Sequence, residues 1–250
     1  MEEALLKIVS VNKTFGKRQV LKNISFSLEK GEFVSLVGVS GSGKSTLLNI
    51  LAGLEKPDSG SIFLEKENIT NQKGKVSYMF QKDLLFPYYT ILDNVILPLV
   101  IQGADKAEAR KEALPLFEQF GLDGTQNQYP AQLSGGMRQR AAFLRTYLNS
   151  KELVLLDEPF SALDMITKNH MHEWYLQTVL KLGLTTLLIT HDIEEAILLS
   201  DRILIMNNVN DEEETNIISE IKVESQRPRT MDFSYTETFS KMKQKIYQML

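Results

Sequence analysis

The sequence lacks cysteine, long apolar runs and any block of basic residues. The absence of cysteine excludes disulfides, thiolate zinc sites and a cysteine nucleophile, and it gives no sign of an oxidising compartment. No apolar run approaches the roughly 20 residues that a helix needs to cross a bilayer. Because lysine and arginine are not clustered and the formal net charge is -4, we expect no nucleic acid as the main partner.

The start of the chain also lacks the basic and apolar blocks of a secretion signal. We therefore expect a cytoplasmic protein that meets a membrane only through a partner. Its 250 residues, 43% hydrophobic and 24% charged, suit an ordinary globular protein with one large core or two modest ones.

A glycine-rich loop at residues 38–46 is the strongest single motif. Its glycines let consecutive N–H groups point at phosphates, Lys44 can reach the β- and γ-phosphates, and the Ser45 hydroxyl is placed to bind Mg²⁺. The alternative is a chance Ser/Gly turn. An apolar run before the loop and a helix-like run after it disfavour that alternative and predict nucleoside triphosphate binding. The run consists of Gly38, Val39, Ser40, Gly41, Ser42, Gly43, Lys44, Ser45 and Thr46.

The chain changes character along its length. Apolar and polar residues alternate in short stretches over residues 5–28, on both sides of a Phe15-Gly16 turn, and this pattern predicts antiparallel strands. Residues 87–148 have helical patterns over 90–102, 106–120 and 135–148, which indicate a helical unit inserted into an α/β core. Pro115 predicts a kink in the second of these helices.

After the helical unit, apolar strands over 153–156, 186–190 and 202–206 alternate with helices over 164–182 and 193–199. This alternation predicts a parallel sheet. Near the end, Phe239, Met242, Ile246 and Met249 recur at helical spacing. We expect this stripe to pack on the core, in preference to the alternative of a membrane anchor, because the segment is short and only weakly basic.

Two carboxylates, Asp157 and Glu158, directly follow the apolar strand over 153–156. The carboxyl edge of such a sheet is where ligands bind. In P-loop NTPases an acid at this position completes the Mg²⁺ shell opposite the loop hydroxyl, so this similarity assigns Asp157 to the metal ion and Glu158 to the attacking water. The alternative, an acidic pair that caps the next helix, applies mainly to Glu158 because Pro159 follows it.

Ser134 with Gly135 and Gly136 predicts a helix start that either binds an anion or is simply capped, and the segment alone leaves both readings open. His191 taken alone favours the reading of a strand-end histidine that caps the next helix. His170 and His172 fall in a polar helical segment, and we expect both to be solvated.

These motifs occur in an order that resembles the nucleotide-binding subunit of an ATP-binding cassette (ABC) transporter, from about Leu6 to Met206. The resemblance implies a P-loop NTPase core with a mainly parallel sheet, an N-terminal antiparallel β subdomain and an inserted helical subdomain. It implies a single ABC ATPase domain over 1–250, with the core at about 5–86 and 150–206, the helical subdomain at about 87–149 and an extension at 207–250. The motifs that carry it are the phosphate loop, Gln81, Ser134, Gly135, Gly136, Asp157, Glu158, Asp164 and His191.

The resemblance also implies ATP and Mg²⁺ as ligands. Phe15 stands where an aromatic ring, often Tyr, stacks on adenine. Gln81 resembles the residue that senses the γ-phosphate and Mg²⁺ and adjoins the membrane partner. His191 resembles the histidine that holds the γ-phosphate and Glu158, so it would act with Glu158, Gln81 and Lys44 in catalysis.

A homodimer is implied as well. Ser134, Gly135 and Gly136 resemble the signature that contacts the γ-phosphate of the ATP held by the other subunit, and Asp164 lies in the loop that crosses the dimer interface. Because the signature belongs to the helical unit, separate from the phosphate loop, a second copy is the natural supplier of this helix start. Closing of two such subunits on two ATP molecules would drive the transporter.

The implied function is a peripheral ATPase on the inner face of the plasma membrane, beneath permease subunits that an extracytoplasmic solute-binding protein serves. Residues 80–87 and 190–196 are similar to importers of nitrate, sulfonates and taurine, and close relatives carry thiamine-precursor pyrimidines. The alternatives are a non-transport ABC ATPase in nucleic-acid or ribosome processes, a kinase or GTPase that shares only the phosphate loop, and a nucleotide-dependent scaffold.

Overall fold

The computed structural model describes residues 4–149, 152–208 and 216–250. The strands are β1 (Ala4–Phe15), β2 (Arg18–Glu29), β3 (Phe33–Gly38), β4 (Ser59–Leu64), β5 (Glu67–Asn68), β6 (Ser77–Met79), β7 (Leu153–Asp157), β8 (Thr185–Thr190), β9 (Arg202–Met206) and β10 (Ile217–Lys222). The helices are α1 (Lys44–Leu51), α2 (Ile91–Val95), α3 (Leu97–Ile101), α4 (Lys106–Gln119), α5 (Gly135–Asn149), α6 (Met165–Leu182), α7 (Ile193–Leu199) and α8 (Glu237–Met249). Short 3-10 turns lie at Pro130–Gln132 and Met231–Tyr235.

A six-stranded sheet in the order β10-β9-β3-β8-β7-β6 forms the centre of the molecule. β3 is parallel to β8 and β9, and β7 is parallel to β8 and β6, whereas β10 runs antiparallel to β9. Every residue of β3 and β8 is buried, as expected where both faces of a parallel sheet are covered. The predicted α/β class with a mainly parallel sheet is therefore confirmed.

Successive residues of this sheet face two different cores because strand side chains alternate between faces. Val34, Leu36 and Leu155 belong to the core that includes α1 and the N-terminal strands, while Val37 and Val154 belong to the core on the helical side. The first core also contains a four-stranded antiparallel sheet in the order β2-β1-β4-β5. Its strands β1 and β2 correspond to the antiparallel strands predicted over residues 5–28.

The helical subdomain differs from the prediction in one place. We predicted one helix over 90–102, but the structure divides it into α2 and α3 around Ile96. Pro98 stands in the first turn of α3 and has no N–H to continue the ladder of hydrogen bonds, so the division follows from the sequence. α4, in contrast, continues through Pro115 as one helix.

The C-terminal segment packs on the core, as the apolar stripe predicted. Phe239 and Ile246 of α8 are buried, and Met242 and Met249 lie against the same core. Arg229, which is only 5% exposed, donates hydrogen bonds to carbonyl oxygens at the end of α7, including those of Ile197 and Ser200, at 3.3 and 2.8 Å. Burial lowers the pKa of Arg229 to about 10, so the guanidinium remains charged at neutral pH.

No helix in the described ranges combines the length and the apolar character that a bilayer crossing requires.

We expect the Arg229→Ala variant to be less stable by about 2–4 kcal/mol, because it leaves buried helix-end carbonyls without a charged donor. The measurement is the free energy of unfolding from denaturant titration. Lys245→Ala, which removes an exposed basic side chain of α8, is the control and should change stability by less than about 0.5 kcal/mol. Equal stability of Arg229→Ala and Lys245→Ala would contradict this account of the C-terminal segment.

Candidate functional site

The phosphate loop connects β3 to α1, as the sequence predicted. Gly43, which directly precedes α1, has φ of 101°, a left-handed conformation that favours glycine. A Cβ atom at this position would lie 2.8 Å from Leu21 Cδ2 and 2.9 Å from the Val20 carbonyl oxygen. The tight turn therefore requires glycine, and it directs the start of α1 into the loop.

Lys44 extends along the inner side of the loop. Its Nζ donates hydrogen bonds to the carbonyl oxygens of Gly38 and Val39, each at 2.8 Å, and lies 3.4 Å from Ser42 Oγ. Burial lowers the pKa of Lys44, and the nearby carboxylates of Glu158 and Asp157 oppose this effect. The Lys44 side chain thus lies inside the loop, where the phosphates of a nucleotide would lie.

Asp157 ends β7 beside the loop and has the surroundings of a cation ligand. Burial raises its pKa, with a smaller contribution from Glu158, while hydrogen bonds from Tyr78 and Ser45 act in the opposite direction. The Tyr78 hydroxyl donates to Asp157 Oδ2 at 3.0 Å, and burial next to this carboxylate raises the pKa of Tyr78. A hydroxyl and a carboxylate are oxygen donors that Mg²⁺ prefers, so Ser45 and Asp157 fit this ion.

Glu158 and His191 meet across the ends of two neighbouring strands. Asp157 of β7 is paired with Ile189 of β8, and the Glu158 N–H donates to the Ile189 carbonyl oxygen at 2.9 Å. This register brings His191 Nδ1 to 3.1 Å from Glu158 Oε1. Glu158 has φ of 46°, which turns its side chain out of the strand direction.

A cavity of about 430 Å³ brings most of the predicted site residues together. The Glu158 and His191 side chains lie on its wall, with His191 65% exposed. Val39 and Ser42 belong to the same loop and contact the Lys44 ammonium. The lining residues are Phe15, Arg18, Val20, Gly38, Ser40, Gly41, Gly43, Lys44, Ser45, Thr46, Glu158 and His191.

Sequence reasoning missed three residues at this site. Arg18 and Val20 line the cavity, and the Arg18 guanidinium donates to the Gly41 carbonyl oxygen at 3.3 Å. The predicted turn at Phe15-Gly16 was the signal for Arg18, because a tight hairpin pairs Arg18 with Phe15. Tyr78 reaches Asp157 through the pairing of its strand, β6, with β7, which no local pattern of the sequence indicates.

Gln81 is linked to the carboxylate segment although it does not line the cavity. Its Nε2 donates to Ser161 Oγ at 3.1 Å, and Ser161 Oγ donates in turn to the Glu158 carbonyl oxygen at 2.9 Å. Gln81 itself is exposed.

The serine and glycine motif of α5 lies outside this cavity. Ser134 Oγ accepts a hydrogen bond from the Met137 N–H at 3.3 Å, and Asp164 Oδ1 accepts one from Thr167 at 3.1 Å, so each residue caps a helix. A Cβ atom on Gly136 would lie 3.3 Å from Thr167 Cγ2, which places the starts of α5 and α6 side by side. Gly135 at the first position of α5 is close to Leu163.

The expectation that His172 is solvated is wrong. His170 is exposed as expected, but His172 is only 5% exposed and lies against Glu195 of α7. The segment is polar because one face of α6 meets solvent, while the face that carries His172 and Met171 is turned into the protein.

Comparisons with known proteins agree with this site. The family model for ABC transporters matches residues 21–161. The formylaminopyrimidine import ATP-binding protein ThiZ of Halalkalibacterium halodurans is 52% identical over 189 residues, 76% of this chain and 74% of that protein. The aliphatic sulfonates import ATP-binding protein SsuB 1 of Shouchella clausii is 41% identical over 203 residues, 81% of this chain and 77% of that protein.

Solved structures lead to the same family. The ATP-binding cassette MJ0796, described as a dimer in a post-hydrolysis state with ADP and Pi, is 32% identical with a TM-score of 0.72 and covers 88% of this chain and 100% of that chain. CbiO1 from Clostridium perfringens has a TM-score of 0.79 over 99% of this chain and 98% of that chain, and at 23% identity it supports the fold alone. The chain therefore belongs to the ABC transporter family, as one of its ATP-binding, ATP-hydrolysing subunits.

Proposed function

We propose that this chain is the energy-coupling ATPase of an importer for a small solute. The contact of 3.1 Å between His191 and Glu158, on the wall of the cavity that holds Lys44, carries the proposal. A carboxylate and an imidazole at the edge of a phosphate loop can orient and deprotonate water next to a terminal phosphate.

Each residue of the phosphate cavity has a place in this reaction. Lys44 and the loop amides hold the triphosphate of ATP, and Phe15, 48% exposed on the cavity wall, offers a ring for the adenine. Glu158 takes a proton from the attacking water, and His191 keeps the carboxylate aligned with it.

Ser45, Asp157 and Gln81 are the residues that would hold Mg²⁺, and Ser45 is one of the groups that act to lower the pKa of Asp157. When bound, the ion supplies positive charge that offsets the negative charge developing on the phosphates. Gln81 also connects this group to the Glu158 backbone through Ser161, so a change at the exposed Gln81 reaches the catalytic segment by direct hydrogen bonds.

The complete site contains parts of two copies of this chain. Ser134, Gly135 and Gly136 at the start of α5, together with Asp164, lie outside the cavity of their own chain. The N-terminal end of a 15-residue helix attracts anions, so in a head-to-tail dimer these residues would face the γ-phosphate held by the other copy. Residues 1–250 would then act as one cassette, with the helical subdomain of each copy closing the site of its neighbour.

The partners follow from this arrangement. The dimer lies beneath two integral membrane permease subunits on the cytoplasmic face of the plasma membrane, and a solute-binding protein outside supplies the cargo. An ATPase subunit does not touch that cargo, so its identity rests on similarity alone. The relative named for formylaminopyrimidine import is more similar in sequence than the one named for aliphatic sulfonates, so formylaminopyrimidine is the first cargo to test.

We expect Glu158→Gln to lower kcat for ATP hydrolysis by about 10²-fold or more, because it removes the general base, while ATP affinity changes little. Lys44→Ala should instead weaken ATP binding itself, since it removes the charge inside the loop. Steady-state kinetics and calorimetry with ATP measure the two effects, and Glu118→Gln on the exposed side of α4 is the matched control. Hydrolysis by Glu158→Gln at the wild-type rate would refute the proposed role of Glu158.

Purification of the tagged chain from a detergent extract separates the transport function from its rival. We expect an integral membrane protein to copurify and to raise the ATPase rate of the chain. The control is the same extract without the tagged chain. Recovery of ribosomes or DNA, with no membrane protein, would instead favour a non-transport ABC ATPase.

A further inference from the structure

A buried imidazole lies behind the two segments that carry the proposed catalytic pair. His172 of α6 places its Nε2 2.9 Å from Glu195 Oε1 of α7, and the two side chains are 6% and 4% exposed. The His172 ring also stands edge-on to Phe160, with the ring centroids 4.9 Å apart at an interplanar angle of 80°. A buried polar pair of this kind requires mutual hydrogen bonding to offset the loss of water.

Through Glu195, His172 is connected to the segment that carries His191. Glu195 Oε2 accepts a hydrogen bond from the Thr190 hydroxyl, and Thr190 Oγ1 accepts one from the Asp192 N–H at 3.0 Å. Thr190 and Asp192 are the two neighbours of His191 in the chain. Glu195 therefore holds the backbone on both sides of His191, directly through Thr190 and indirectly through Asp192.

Through Phe160, His172 is connected to the segment that carries Glu158. Phe160 is buried two residues after Glu158, and Ser161 closes a turn by donating its N–H to the Glu158 carbonyl oxygen at 3.2 Å. The position of the Phe160 ring thus restricts the backbone that carries Glu158. His172 is in contact with the supports of both segments at once.

Among the described residues, the His172 imidazole has a hydrogen-bond partner at only one of its two ring nitrogens. Its Nδ1 is buried without a hydrogen-bond partner among the residues that the structure describes. We assign the donor proton to Nε2, which faces the Glu195 carboxylate, because a carboxylate accepts and does not donate. The charged groups around the pair are Lys168, Asp192, Glu194 and Lys243. Lys168 and Asp192 are joined at 2.6 Å, and Lys243 pairs with Glu194.

We propose that His172 is a positioning residue for ATP hydrolysis. It keeps the Glu158 and His191 segments at a fixed separation, through Phe160 on one side and through Glu195 and Thr190 on the other. This inference rests on the proposed function of the Glu158 and His191 pair. His172 does not line the phosphate cavity, so its effect on the reaction passes through the catalytic residues.

Five variants, including His191→Ala as the reference for a double variant, test this inference. His172→Ala should lower kcat about 10-fold with the KM for ATP within about twofold, since the catalytic pair is displaced while the phosphate loop is intact. His172→Gln keeps an N–H donor and should recover most of the rate. His170→Ala, an exposed neighbour on the same helix, should hydrolyse ATP at the wild-type rate. In a His191→Ala background, His172→Ala should lower kcat by less than about twofold, because His172 acts by positioning His191 relative to Glu158 and has little left to position once His191 is removed.

The outcomes separate this inference from the proposed function. If His191→Ala itself hydrolyses ATP at the wild-type rate, the proposed function of His191 is wrong and the inference falls with it. If His191→Ala is slow but His172→Ala costs the same factor in both backgrounds, or raises KM in step with the loss of kcat, only the inference is wrong. If thermal unfolding shows that His172→Ala does not fold, Thr190→Val replaces it in the same cycle. Equal losses in both backgrounds would again overturn the inference.

Discussion

The parallel pairing of β8 with β3 and β7 is the constraint on which the whole site depends. Val37 of β3 is paired with Thr190, and Asp157 of β7 is paired with Ile189, so all three strands end at one edge of the sheet. The phosphate loop lies at the end of β3, the two carboxylates at the end of β7 and His191 at the end of β8. The phosphate loop is more than 100 residues away from the carboxylates in the sequence, yet the sheet brings them together. Parallel strands collect such loops at their carboxyl ends, and the cavity of about 430 Å³ lies there.

α7 connects this edge of the sheet to the C-terminal segment through hydrogen bonds at its two ends. At its beginning, Asp192 caps the helix and Glu195 accepts from Thr190, so the residues on both sides of His191 are tied to α7. At its other end, Arg229 from the C-terminal segment donates to buried carbonyl groups at the end of the helix. The C-terminal segment therefore supports the helix that begins two residues after His191, the proposed catalytic histidine.

The sequence was sufficient for features that depend on local residue types. The phosphate loop needs glycine at fixed places, and Asp157 and Glu158 follow an apolar strand, so both could be located without a structure. The features that depend on tertiary contacts could not. Arg18 reaches the loop only through the register of a hairpin, and the burial of His172 depends on which face of α6 meets the core. The division between α2 and α3 could have been predicted from Pro98.

The proposed head-to-tail dimer is the central claim, because the cavity of one copy holds the proposed catalytic pair, Glu158 and His191, while the helix start at Ser134 of that copy lies outside the cavity. A crystal structure of Glu158→Gln with ATP and Mg²⁺ tests it most directly. We expect two copies enclosing two ATP molecules, with Ser134 and Gly136 of one copy within hydrogen-bond distance of the γ-phosphate gripped by Lys44 of the other. A complex that remains monomeric, or a dimer in which Ser134 faces away from both nucleotides, would contradict the account.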